Sequence, residues 1–282
     1  MARESFAHAE TFLRETDRER YLMTLVLRGP AREAIISLYA FAADVAMIRE
    51  RVSEPAPGEI RLQWWNDALT GQGHGAVRQN PLADALLETM ARYDIPAGSL
   101  QRLLGARRFD LYDDPMPDLE SFEGYAGETT STLYQLAAMI LNDGAPVEPG
   151  DAAGHLGVAQ AMTGHLRAFG YNAAKGRIVL PWSIFAANGV TEAEIFSGTV
   201  SEGLVESRGQ IMELAAGHLA RAASAIANLP SSLRPAFASY PVVEAQLQRL
   251  RRSDMDPYGL QPDLADWRKI AMIAWWTWRG GR

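Results

Sequence analysis

Apolar residues recur at intervals of three and four along most of the chain. Ile35, Leu38, Tyr39, Ala42, Val45 and Ala46 form one such series, and Ile211, Leu214, Ala215, Leu219, Ala222 and Ile226 form another. This is the spacing of one face of a helix. The strict alternation of a half-buried strand is nearly absent. Helix breakers fall between the periodic stretches, at Gly29 with Pro30, Pro55 to Gly58, Gly71 to Pro81, Pro115 and Pro117, Asn142 to Gly150, Pro181, Pro230, and Pro257 to Pro262. The pattern predicts an all-α protein of roughly eight to ten helices. No Gly/Ser-rich or charged linker interrupts it, so a single domain over residues 1–282 is expected.

Composition narrows the function more than the fold. With 34 acidic against 27 basic side chains and a net charge of −7, the chain lacks the cationic face that phosphate neutralisation requires, which argues against nucleic acid as a partner. The absence of cysteine excludes disulfides, thiolate metal sites and a cysteine nucleophile. Residues 1–20 are charged throughout, so no export signal is expected. The apolar run Ile270–Trp278 is too short to span a bilayer and predicts a buried or at most interfacial helix. His8, His74, His155, His165 and His218 show no zinc-binding spacing, and no glycine-rich phosphate loop or nucleophile elbow is present.

Three segments taken in order carry a family resemblance: REAIISLYAFAADVAMIRE (32–50), FDLYDDPMPDLESFEGYAGETTSTL (109–133) and LGVAQAMTGHLRAFGYNAAKGRIVLP (156–181). Together they resemble the squalene/phytoene synthases, enzymes that join prenyl diphosphates head to head. The resemblance implies an isoprenoid-synthase-like helical bundle around a central cavity. Beyond residue 181 the sequence adds nothing to it.

In that family a helix similar to FCRxxDDxxD binds diphosphate through magnesium. Its arginine falls here on Ala43, its paired aspartates on Ala46 and Met47, and its last acid on Glu50. A second helix resembles QLTNILRDxxEDxxxGRxYLP; its glutamine and asparagine become Ala161 and Gly164, and its three acids become Ala168, Tyr171 and Asn172. The scaffold positions Thr163, Leu166, Arg167, Gly176, Arg177, Leu180 and Pro181 are retained. Magnesium requires hard oxygen donors on both helices, and five of the six acids are gone. Loss of one preorganised electrostatic group commonly costs ~10²–10³ in rate. The degenerate set therefore implies no intact catalytic residues, no bound metal and no cofactor. Magnesium enters only under the alternative reading, an active prenyltransferase with displaced ligands.

YAFAADVAMIRERVSEPAPGEIRLQWWNDAL (39–69), with its degenerate acidic helix, resembles a non-catalytic branch of the family similar to the mitochondrial assembly factor of respiratory complex I. This implies complex I subunits or other assembly factors as partners and a cytoplasmic location, at most peripheral to the inner membrane. It also implies an apolar isoprenoid or lipid ligand in a residual cavity, expected to be more apolar than an active site. The candidate pocket or anion-binding residues are Tyr39, Phe41, Asp110, Tyr125, His165, Lys175 and Arg177. Glu50 and Asp44, beside Arg49 and Arg51, are expected in ion pairs or on a solvated face. The acids Asp110, Asp113, Asp114, Asp118 and Glu120 are expected in a solvated loop, with Asp110 structural. Trp64, Trp65, Trp275, Trp276 and Trp278 are expected mostly in the core.

Overall fold

The computed structural model describes residues 2–73, 75–252, 256–261 and 263–280; His74 and Pro262 lie outside them. No strand occurs among the described residues. The first group of helices comprises α1 (Ala2–Thr16), α2 (Arg18–Met23), α3 (Gly29–Ala46), α4 (Ile48–Arg51), α5 (Pro55–Thr70), α6 (Pro81–Arg92) and α7 (Ala97–Arg107). Next come α8 (Leu119–Ala126), α9 (Thr132–Leu141), α10 (Gly150–Arg167), α11 (Phe169–Ala174), α12 (Trp182–Ala187) and α13 (Glu192–Ser197). The series ends with α14 (Glu202–Asn228), α15 (Tyr240–Arg252) and α16 (Asp266–Trp278). Ten of these run ten residues or longer, which matches the expected count; the others are short pieces.

Several breakers turn out to start helices rather than separate them. Pro30, Pro55 and Pro81 occupy the first turns of α3, α5 and α6, where the missing N–H would have had no partner and the fixed φ suits the helix. Asn80 caps α6 by accepting from the N–H groups of Leu82 and Ala83. Two predicted helices are broken where no breaker stands: α3 gives way to α4 at Met47, and α10 to α11 at Ala168. A single π-turn over Gly127–Ser131 joins α8 to α9.

One contiguous cluster of buried side chains runs from Ala9 to Trp276 and forms the core. Within it α14 lies along α10, and α1 packs on α3 and α6. The π-turn seats directly on α10. A Cβ at Gly157 would meet Ser131 Oγ at 2.1 Å, so only glycine permits this approach. The approach matters for the site, because α10 leads into α11 while the π-turn continues α8, which carries Tyr125 of the opposing wall.

Candidate functional site

The ends of α3–α4 and α10–α11 face one another across a narrow gap. Val52 turns extended after Arg51 and stops α4, leaving Glu50 at its tip. On the other side Gly176 adopts φ +71°, a left-handed conformation that side chains disfavour. This turn brings Arg177 back towards Glu50. Arg177 Nη1 donates to Glu50 Oε1 at 2.7 Å and the Tyr171 hydroxyl donates to Oε2 at 2.8 Å. Both carboxylate oxygens are thus engaged by the opposite helix pair. These two bonds, chiefly the one from Arg177, hold the Glu50 carboxyl below its usual range against a smaller opposing effect of desolvation.

The second wall comes from α7, α8 and the short turn after α7. Tyr125 donates to Asp110 Oδ1 at 2.7 Å, and Arg107 Nη1 reaches Asp110 Oδ2 at 2.9 Å and the Tyr125 oxygen at 2.7 Å. The guanidinium also stacks over the Tyr125 ring. Burial pushes the Tyr125 hydroxyl well above its normal value, so it remains a neutral donor. Both Asp110 carboxylate oxygens are thereby held within this wall.

Between the walls lies a cavity of about 140 Å³ bordered by Ala46, Glu50, Asp110, Tyr125, His165 and Arg177 among others. Its charged lining corrects the expectation of an apolar pocket. Its size is also below the ~300–1,000 Å³ of typical small-molecule sites. Arg49, Arg107 and Arg177 border it, and the Nε–H of each is buried without a hydrogen-bond partner, Arg177 Nε standing 3.7 Å from Asp113 Oδ1. A cavity this polar accommodates ordered water as an acceptor for such groups. His165 sits edge-on to Phe122 at 6.0 Å; burial lowers its pKa to about 4, the nearby Asp110 opposing, so the ring is neutral at pH 7.

The remaining candidates distribute unevenly. Tyr39 and Phe41 do not reach the cavity. Both are core residues, Phe41 packing on Trp65 at 4.9 Å, because they lie mid-way along a helix buried on nearly all sides. Lys175 is exposed, 5.9 Å from the Tyr171 ring centroid. Of the degenerate positions, Ala46 and Asn172 line the cavity with Glu50. Ala43 is buried in α3, Met47 marks its end, and Ala168 sits at the α10–α11 break. Neither Ala161 nor Gly164 is among the lining residues. Asp44 pairs with Arg51 at 2.6 Å and accepts from the Trp65 indole at 3.0 Å.

The acidic loop is solvated as expected, with Asp113, Asp114, Asp118 and Glu120 exposed; Asp113 bonds Arg49 at 3.0 Å and Asp118 caps α8. The backbone of Met116 pairs with Ile178 and Trp182, tying this loop to the GRIVLP segment. Arg107 escaped the sequence reading, which placed Arg49 only as a neighbour of Glu50 and Asp44. The i, i+3 spacing of Arg107 and Asp110 was the one available signal.

These donors do not suit magnesium. Glu50, Asp110 and Asp113 are each held by an arginine, and Ala46 and Asn172 offer no carboxylate where the opposed acids would have to stand. Among the described residues no group of three or more acidic or histidine side chains is arranged to hold a metal ion.

The helical bundle, with its gap between two opposed helix ends, defines an isoprenoid-synthase fold. A crystal structure of a dehydrosqualene synthase superimposes with a TM-score of 0.80 at 18% identity, covering 97% of this chain and 95% of that one. The squalene synthase HpnC of Alicyclobacillus acidocaldarius gives 0.71 at 17% identity, covering 99% and 95%. The chain belongs to the squalene/phytoene synthase family, whose profile matches residues 13–271. The match therefore extends well beyond residue 181, the end of the three segments that carry the resemblance in sequence. Complex I assembly factor 6 of Bos taurus is 28% identical over 244 residues, 86% of this chain and 73% of that protein. The 15-cis-phytoene synthase of Synechococcus elongatus is 22% identical over 265 residues, 90% of this chain and 86% of that protein.

Proposed function

We propose that this chain is a catalytically silent member of the family that acts in assembly of the NADH:quinone reductase, complex I. The observation that carries the reading is the bridge across the gap. Where an active relative sets acid against acid around magnesium, this chain joins Glu50 directly to Tyr171 and Arg177. One of those partners, Tyr171, itself stands at a position that aligns with a family acid. A metal-dependent ionisation of a prenyl diphosphate has no donor set to work with, while the likeness to complex I assembly factor 6 supplies the alternative role.

On this reading the partners are complex I subunits or other assembly factors, met in the cytoplasm at the inner face of the membrane. An isoprenoid or acyl ligand binds beside the charged cavity, in the open groove of about 720 Å³ lined by Ala106, Phe109, Met116, Pro117 and Tyr125, with Arg102 and Glu128 also on its border. Deletion of the gene followed by in-gel NADH dehydrogenase activity tests the role. Loss of assembled complex I, restored by the wild-type gene, supports it; a deletion strain with normal complex I contradicts it.

A further inference from the structure

Helix α16 is attached by its polar as much as by its apolar residues. Lys269 is buried, with Nζ 2.6 Å from Asp263 and 3.1 Å from Glu19 of α2, and Arg167 of α10 reaches the same Asp263 at 2.9 Å. Ile273 and Trp276 complete the inward face, Trp276 stacking on Tyr240. At the helix start Asp266, the one acid of α16, pairs with Arg18.

The outward face is apolar. Trp267, Ile270, Trp275 and Trp278 are 66%, 39%, 57% and 75% exposed, and Ala271 and Ala274 lie between them, also exposed. Trp267, Ala271, Ala274 and Trp278 follow the three- and four-residue spacing of one helical stripe. The exposed Leu25 belongs to the short turn that packs beside α16. Three indoles stay more than half exposed, with the partly covered Ile270 beside them. A cluster of this kind marks a contact surface.

The charges around the stripe say what it contacts. Arg268 stacks over Trp267 at 5.2 Å and Arg279 over Trp275 at 5.8 Å, so two guanidinium groups border the indoles. No carboxylate other than the paired Asp266 lies on this helix. A cationic, tryptophan-rich face on a protein of net charge −7 is complementary to an anionic lipid surface, where indoles settle at the headgroup level and arginines meet phosphate. No described helix is long and apolar enough to cross a membrane, and α16 is fastened along its inner side, so the contact is one of lying flat. We propose that the outer face of α16 is a peripheral docking surface for anionic membranes. The inference is independent of the assembly role and of the cavity between α4 and α11.

The test is sedimentation of the full chain with phosphatidylcholine vesicles, pure or carrying about 30% phosphatidylglycerol, followed by tryptophan emission. Binding to the anionic vesicles with a blue shift, and little binding to the neutral ones, is expected. Arg268→Glu with Arg279→Glu should weaken it roughly thirtyfold or more, and Trp267→Ser with Trp278→Ser should abolish it. Unchanged melting temperatures in the charge-reversal pair show that folding is intact. Three results overturn the proposal: no sedimentation of the wild type, sedimentation indifferent to the substitutions, or a concentration-dependent dimer that the tryptophan substitutions dissolve. The last outcome assigns the face to a second copy of this chain.

Discussion

The two walls of the small cavity are built to opposite specifications. The wall of Arg107, Asp110 and Tyr125 is largely buried, joins residues close in sequence or on adjacent elements, and locks an acid between an arginine and a tyrosine. The wall of Glu50, Tyr171 and Arg177 is more exposed, joins residues more than a hundred positions apart, and has lost almost every family acid. The difference teaches that shape and chemistry are separable here. One wall holds its side of the pocket with a closed polar network; the other joins two opposed helix ends through a protein bridge.

The buried wall should be the costly one to break. Asp110→Ala leaves Arg107 charged and short of its main acceptor, and should destabilise the protein by about 3 kcal/mol in urea unfolding. A loss below about 1 kcal/mol would show that the two walls are energetically alike. Tyr125→Phe, which removes only the hydroxyl, should cost about 1–2 kcal/mol.

Rebuilding the clamp is the next largest effect. Because Ala46 and Asn172 line the cavity and Ala168 does not, Ala46→Asp with Asn172→Asp should suffice to create magnesium affinity. The variant should melt lower than the wild type without metal, since new carboxylates repel Glu50, and recover by about 2–5 °C with excess magnesium. A melting temperature indifferent to magnesium would mean that the two helix ends do not oppose each other as described.

Acid sharpens the contrast further. His165 has its folded pKa depressed to about 4 from 6.5, so the unfolded chain takes up its proton first. Its contribution is present above pH 6.5 and is lost as the pH falls towards 4. His155 and His218, whose Nδ1 atoms are 3.1 Å apart between α10 and α14, are lowered chiefly by burial and add a slope of the same sign. His165→Asn should remove its share of the slope of stability against pH and leave theirs. Glu50 behaves differently: with its pKa below 4.5, its bridge holds above that pH and is lost only as the pH falls further. Glu50→Gln should be the mildest change of all, within about 1 kcal/mol at pH 7, because its carboxylate is substantially exposed.

The helices, their apolar faces and the degenerate positions were readable from residue type and spacing. Proline position was harder, since Pro55 punctuates a sequence whether it ends one helix or opens the next. The breaks at Met47 and Ala168 carry no local signal, because both residues are good helix formers. Nor does any local pattern pair Glu50 with Arg177, which lies 127 residues away. Trp275, Trp276 and Trp278 look equivalent in sequence, yet only Trp276 is buried; the placement of Lys269 against Glu19 and Asp263 decides which side of α16 faces inward.

The measurement that bears most directly on the central claim combines the wild-type chain, magnesium and farnesyl or geranylgeranyl diphosphate, followed by melting temperature and product analysis. The bridge between Glu50, Tyr171 and Arg177 predicts no magnesium-dependent shift and no condensed prenyl product. A magnesium-dependent shift accompanied by product would show that other acids have taken over the clamp, and would contradict the account.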